Sequence, residues 1–128
     1  MKLGRGKKIT SRGWISENRN PDKHTHAREN LRRANLLDRV ELHAGDAAEI
    51  VRRLSGPFDL VFLDADRRMF PEVMQILLPK PAPKLLVIAD NVLSYAEDIA
   101  EYLKLISSLA DFHYAIVPVG KGLSIAYR

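Results

Sequence analysis

The sequence predicts one α/β domain on a mostly parallel sheet that ends in an antiparallel hairpin. Three observations predict it. Segments with helical apolar spacing alternate with short strand-like runs along most of the chain. Two of those runs, Phe58–Leu63 (FDLVFL) and Leu85–Ala89 (LLVIA), are nearly all apolar, as strands covered on both faces are. The chain then closes with Phe112–Val117, a Gly120-Lys121-Gly122 turn and Leu123–Tyr127, the pattern of a hairpin.

The elements follow in order. Residues 1–13 (MKLGRGKKITSRG) are polar, cationic and without an apolar period, so they read as a loose basic arm ahead of a domain at 14–128. A short extended piece is expected at Trp14–Ser16. Asn20-Pro21-Asp22 marks a helix start: an N-cap, a proline at the first helical position and an acid that suits the dipole. Ala27, Leu31 and Ala34 continue that helix to about Leu36. Val40–His43 alternates as a short strand. Asp46 then caps a second helix, with Glu49 three residues on as in a capping box, and Ile50, Val51 and Leu54 on its buried face. Ser55-Gly56-Pro57 breaks it. A helix over Phe70–Leu78 and a Pro/Lys loop (PKPAPK) lie between the two apolar strands, and residues 96–109 form another helix through Ile99, Leu103 and Ile106.

Composition narrows the function classes. At 128 residues, 46% apolar and 28% charged, the chain has room for one domain and not two. It contains no cysteine, which removes disulfides, thiolate metal sites and cysteine nucleophiles. No apolar run approaches the ~18 residues of a membrane span, and the basic N-terminus lacks the apolar stretch of a secretory signal. A cytoplasmic location is therefore expected, with no membrane partner. The net charge of +4 divides unevenly: residues 1–33 carry net +7 and the remainder net −3. A basic arm on a mildly acidic body points to an anionic partner such as RNA, or simply to a solvated terminus.

The chemistry gathers at strand ends. Asp46, Asp64 with Asp66, and Asp90 with Asn91 each follow a predicted strand. In an open parallel sheet these ends share the ligand-binding rim. If their strands are neighbours, Asp64, Asp90 and Asn91 form a hard-oxygen set suited to Mg²⁺ or Ca²⁺. The competing reading is that each acid only caps a helix or closes a turn. His24 and His26 lie two apart on a helix and share no face, so solvent-facing histidines are expected there and at His43. Met69 and Met74 read as core filling. Tyr95 reads as a pocket aromatic or as an ordinary residue at a helix start.

From Ala27 to Arg128 the sequence resembles the metal-dependent class I O-methyltransferases of the caffeoyl-CoA and catechol type, in their bacterial branch. The matching pieces are ARENLRRANLLDRVEL, Gly45-Asp46-Ala47, FDLVFLDADR at 58–67, VIADNVL at 87–93 and VPVGKGLSIAYR at 117–128. The resemblance implies a Rossmann-like class I methyltransferase sheet and S-adenosylmethionine as methyl donor. It implies that Asp64, Asp90 and Asn91 hold a divalent cation, with Asp64 and Arg67 as the catalytic positions. Asp46 and Ala47 would meet the adenine, Asp64 and Asp66 would lie by the cofactor, and Glu17 is the candidate ribose acid. It also implies a homodimer and a small catechol-like hydroxyl acceptor. Arg67 stands where the family often has lysine; a guanidinium stays protonated, so it can stabilise an oxyanion but cannot act as a base.

One departure is larger. The family's first βα unit, with its glycine-rich cofactor loop, has no counterpart among the 20 or so residues before Pro21, and Gly4-x-Gly6 is only a shadow of it. A shortened product is expected, with its first strand near Trp14–Ser16 standing second in the family order. The sheet is then left with a central gap that the arm, a partner or re-pairing must fill. Two further functions stay open: an inactive remnant or interaction module of the same fold, and an RNA-directed (tRNA) methyltransferase working through the arm.

Overall fold

The computed structural model describes residues 2–5, 10–16 and 21–128. The order of elements is β1 (Lys2–Arg5), β2 (Thr10–Ser16), α1 (Pro21–Arg33), β3 (Leu42–Ala44), α2 (Ala47–Arg53) and β4 (Phe58–Leu63). Then come α3 (Phe70–Leu77), β5 (Pro81–Asp90), α4 (Ala96–Ser108), β6 (His113–Val117) and β7 (Leu123–Tyr127). Short 3-10 turns at Leu37–Arg39 and Arg67–Met69 precede β3 and α3. All strands join one seven-stranded sheet in the order β3-β2-β1-β4-β5-β7-β6. The pairings β2/β3 and β4/β5 are parallel, and β7 runs antiparallel to both β5 and β6. Five strands therefore share one direction, and β1 and β7 oppose it.

The gap expected at the centre is filled by the arm. β1 lies between β2 and β4 and is antiparallel to both, with Lys2 opposite Trp14 on one side and Phe62 on the other. The expectation that residues 1–13 are a loose arm outside the domain is corrected for their described parts: Lys2–Arg5 is an interior strand, and β2 begins at Thr10. The physical reason is the ladder itself. An empty place between β2 and β4 would strand two rows of backbone donors and acceptors, and a four-residue strand of either direction satisfies them.

Helices α2, α3 and α4 close one face of the sheet. Val61, Leu63, Val87, Ala89 and Ala126 are fully buried in one cluster with Val51, Phe70, Met74, Ile99 and Ile106. Tyr102 belongs to it, edge-on to Phe70 with ring centroids 5.6 Å apart, and burial pushes its hydroxyl up to about 12. Met74 is buried and Met69 packs against the cluster, as core filling requires. On the opposite face Phe62, Ile88 and Ile125 stay half-buried. The two ends of α2 are set differently: Asp46 accepts a hydrogen bond from the nearby Glu49 N–H at 2.9 Å, whereas at the other end the distant Lys80 Nζ donates to the carbonyls of Val51, Arg52 and Leu54 at 3.0–3.1 Å. β5 starts at Pro81 rather than Leu85, because the last four residues of the PKPAPK segment are extended and Phe58 pairs with Pro81 ahead of an irregularity in the register. No helix among the described residues is long and apolar enough to cross a membrane.

Candidate active site

The site is built at the rim where β4 and β5 end. These strands are parallel neighbours, with Phe62 opposite Ile88 and Leu63 opposite Ala89. Asp64 and Asp90 are the next residues of each, so they stand side by side on strands about 4.8 Å apart. The alternation fixes their face. Leu63 and Ala89 are buried beneath the helices, whereas Phe62, Ile88 and the two acids that follow belong to the other face. Asp64 is exposed and Asp90 half-buried, so the apolar stems are enclosed and the carboxylates meet water.

Asn91 completes the rim in a left-handed backbone conformation, φ 63°, which asparagine tolerates better than most residues. Its N–H donates to Asp90 Oδ1 at 2.7 Å and its Nδ2 donates to Asp90 Oδ2 at 3.3 Å. The amide nitrogen is thus committed to Asp90, and any contact from Asn91 to a cation comes through Oδ1. Two carboxylates and one amide oxygen on adjacent loops fit a hard divalent cation with waters completing its shell. Among the described residues no group of three or more His, Cys, Asp or Glu side chains gathers as a metal site, at this rim or elsewhere.

The loop from Asn91 to Tyr95 is braced by the C-terminal hairpin. Val92 N–H donates to Gly122 O at 3.1 Å and Leu93 N–H to Lys121 O at 2.9 Å. Gly122 has φ 85°, and a Cβ there would collide with the Leu93 side chain. In sequence this glycine reads as part of a turn; its packing role depends on a partner 29 residues earlier, which no local pattern announces.

The remaining candidates separate. Asp46 lies at the end of the β3 segment and caps α2, so part of its carboxylate serves the helix whatever else it binds; Ala47 beside it is buried. Asp66 caps the turn at Arg67–Met69 and is gripped by Arg68, whose Nε and Nη2 donate to it at 3.0 and 2.5 Å. That guanidinium holds the Asp66 carboxyl below the usual carboxylate range. Arg67 turns from the rim's edge toward Tyr95 and Asp98, with its guanidinium carbon 4.7 Å from the ring centroid. Glu17 and Gly6 lie outside the described residues. Gly4 pairs with Leu60 inside the sheet, and from there β1 runs toward the edge where β4 begins, away from the acids. His24 differs from expectation: its Nε2 is 3.0 Å from the His43 carbonyl, tying α1 to β3 rather than facing solvent.

An α/β sheet with paired acids on its C-terminal rim defines a class of ligand-binding domain, and comparison with known proteins narrows it. The model of a family described as O-methyltransferase matches residues 7–109. The chain belongs to that family. It is 38% identical over 71 residues to a catechol O-methyltransferase of Niastella koreensis, covering 52% of this chain and 32% of that protein. Over 76 residues it is 38% identical to a catechol O-methyltransferase of Mycobacterium tuberculosis, covering 59% and 34%. Among solved structures, a methyltransferase from Geobacter sulfurreducens superposes with a TM-score of 0.78 at 34% identity, covering 94% of this chain and 60% of that one. The O-methyltransferase from Bacillus cereus in complex with SAH gives 0.79 at 26%, covering 91% and 62%. The chain thus spans about a third of the length of these curated relatives and about three-fifths of these solved ones.

Proposed function

We propose that this chain carries the rim of an S-adenosylmethionine-dependent O-methyltransferase that uses a divalent cation to bind a catechol-like acceptor. The observation that supports this best is the adjacency of Asp64 and Asp90, in register on neighbouring strands with Asn91 beside them. A cation bound there supplies Lewis acidity that lowers the pKa of an acceptor hydroxyl. Asp64 and Asp90 bring negative charge to the rim, and Asp90 orients the Asn91 amide so that its oxygen remains for binding. Asp46 and Ala47, on the β3 side, are the residues that would meet the adenine of the donor. Methyl transfer then breaks the sulfonium S–CH3 bond and forms an O–CH3 bond, while the hydroxyl proton leaves to solvent. What the protein contributes is mainly alignment of the two reacting atoms.

The direction of β1 favours a second reading, a binding module of the same fold that does not turn over. A parallel strand in that place would deliver its following loop to the rim; antiparallel β1 brings Lys2 to the Phe62 end instead. Isothermal titration separates the two. On the first reading the native chain binds Mg²⁺ and S-adenosylmethionine, and Asp64→Ala and Asp90→Ala abolish the Mg²⁺ heat. Cation binding with no cofactor heat supports the second. Loss of neither in the two variants overturns the assignment of the rim.

A further inference from the structure

Arg67 and Tyr95 form a contact that neither the fold nor the capping of helices requires. The Arg67 side chain is only 20% exposed, its Nη2 lies 3.8 Å from Asp98 Oδ2, and its Nε is buried without a hydrogen-bond partner. Its guanidinium stacks on the Tyr95 ring at 4.7 Å, within the range of a cation–π contact. Tyr95 is 71% exposed, yet it precedes α4 in a left-handed conformation, φ 56° and ψ 67°. A tyrosine keeps such a backbone only where its surroundings over-determine it. Here a hydrogen bond from the Asp98 N–H to the Tyr95 carbonyl, 3.0 Å, and the Arg67 stack are the visible restraints.

The placement gives the contact a purpose. Arg67 lies three residues after Asp64, and Tyr95 four residues after Asn91. The hairpin at Lys121–Gly122 fixes one flank of the Asn91–Tyr95 loop; the Arg67 stack fixes the other. We propose that Arg67, Tyr95 and Asp98 form a latch that sets the Asn91 loop against the Asp64 loop, making Arg67 a positioning residue for the cation donors. This rests on the cation reading above and gives Arg67 a role apart from the oxyanion contact that its charge also permits. A guanidinium suits the task, being planar and charged at every physiological pH, whereas a lysine would keep the charge and lose the stacking plane.

The test uses the full chain and the variants Tyr95→Leu and Tyr95→Phe, since replacing so exposed a ring leaves the core intact. Mn²⁺ binding is followed by water proton relaxation, and amide hydrogen exchange at residues 91–94 is measured without metal. The latch predicts that Tyr95→Leu weakens Mn²⁺ about tenfold, as loss of an outer-shell partner does, and speeds exchange at 91–94. Tyr95→Phe, which keeps the stack, restores both. Unchanged exchange in Tyr95→Leu overturns the latch, and faster exchange with native Mn²⁺ affinity overturns its positioning role. A native chain that takes up no Mn²⁺, or an Asp64→Ala variant that binds as well as native, overturns the cation reading and the positioning role with it. The exchange arm still reports separately whether the stack restrains the loop.

Discussion

Strands β1 and β5 both lie inside the sheet with a hydrogen-bonded neighbour on each side, yet they are held there by different things. β5 is fixed by side chains: Leu85, Val87 and Ala89 are buried in the cluster formed with α2, α3 and α4. β1 is four residues, KLGR, with little apolar content, and its place is defined by backbone pairing to β2 and β4. The difference teaches that continuity of a sheet is indifferent to strand direction, whereas the chemistry of its rim is not. Parallel β4 and β5 deliver two acids to the same edge. Antiparallel β1 restores the ladder, and its own C-terminal end points to the opposite edge.

The comparison is broken most directly by removing the support on its stronger side. Phe70 is buried and packs on Tyr102; Phe70→Ala should cost about 4 kcal/mol, the usual penalty for emptying such a site. Urea unfolding would show a lower midpoint for the whole domain, β1 region included, if the helix-covered cluster is what the sheet depends on. Leu3→Pro probes the weaker side. Proline removes a ladder donor from an interior strand, and an unpaired buried partner costs about 1–3 kcal/mol. Faster exchange at the Leu60 and Phe62 amides should accompany that loss. Unchanged stability would mean that β1 adds nothing to the ladder.

What the sequence made legible follows the same division. FDLVFL and LLVIA announce β4 and β5 because buried parallel strands have a composition of their own, and their ends place Asp64, Asp90 and Asn91 on one rim. Asp46 with Glu49 announces the start of α2, and Gly120 and Gly122 announce the final hairpin, since caps and turns are encoded within a few residues. β1 could not be read, because KLGR has neither alternation nor β-branched residues and gains its place only from the vacancy between β2 and β4. Lys80 was equally opaque: its three carbonyl partners lie 26 to 29 residues earlier, and a lysine in a Pro/Lys loop looks like surface charge. The Arg67 stack on Tyr95 spans 28 residues and depends on a left-handed tyrosine that no propensity favours.

Two smaller effects sharpen the contrast between local and long-range support at α2. Lys80→Met removes charge-assisted hydrogen bonds to the last carbonyls of the helix and should cost about 1.5 kcal/mol. Asp46→Ala removes the cap at the other end and should cost about 1 kcal/mol. Both are measured by urea unfolding. The distant lysine should outweigh the local cap, and the reverse order would show that the helix is fixed mainly by its own start.

The smallest effect is a pH dependence at Asp66, whose carboxyl is held low by the hydrogen bonds from Arg68. Because the folded pKa lies below the unfolded one, the unfolded chain binds the extra proton as pH falls. The contribution is therefore complete above the ordinary carboxylate pKa of about 3.9 and disappears as pH drops through the folded value. Asp66→Asn should lower stability slightly at neutral pH and converge on the native chain toward the acid limit. Added salt should narrow the neutral-pH difference, because the pair stands at the surface. A difference that stays constant from neutral to strongly acid pH would show that Asp66 contributes through the shape of its cap on the Arg67 turn and not through its charge.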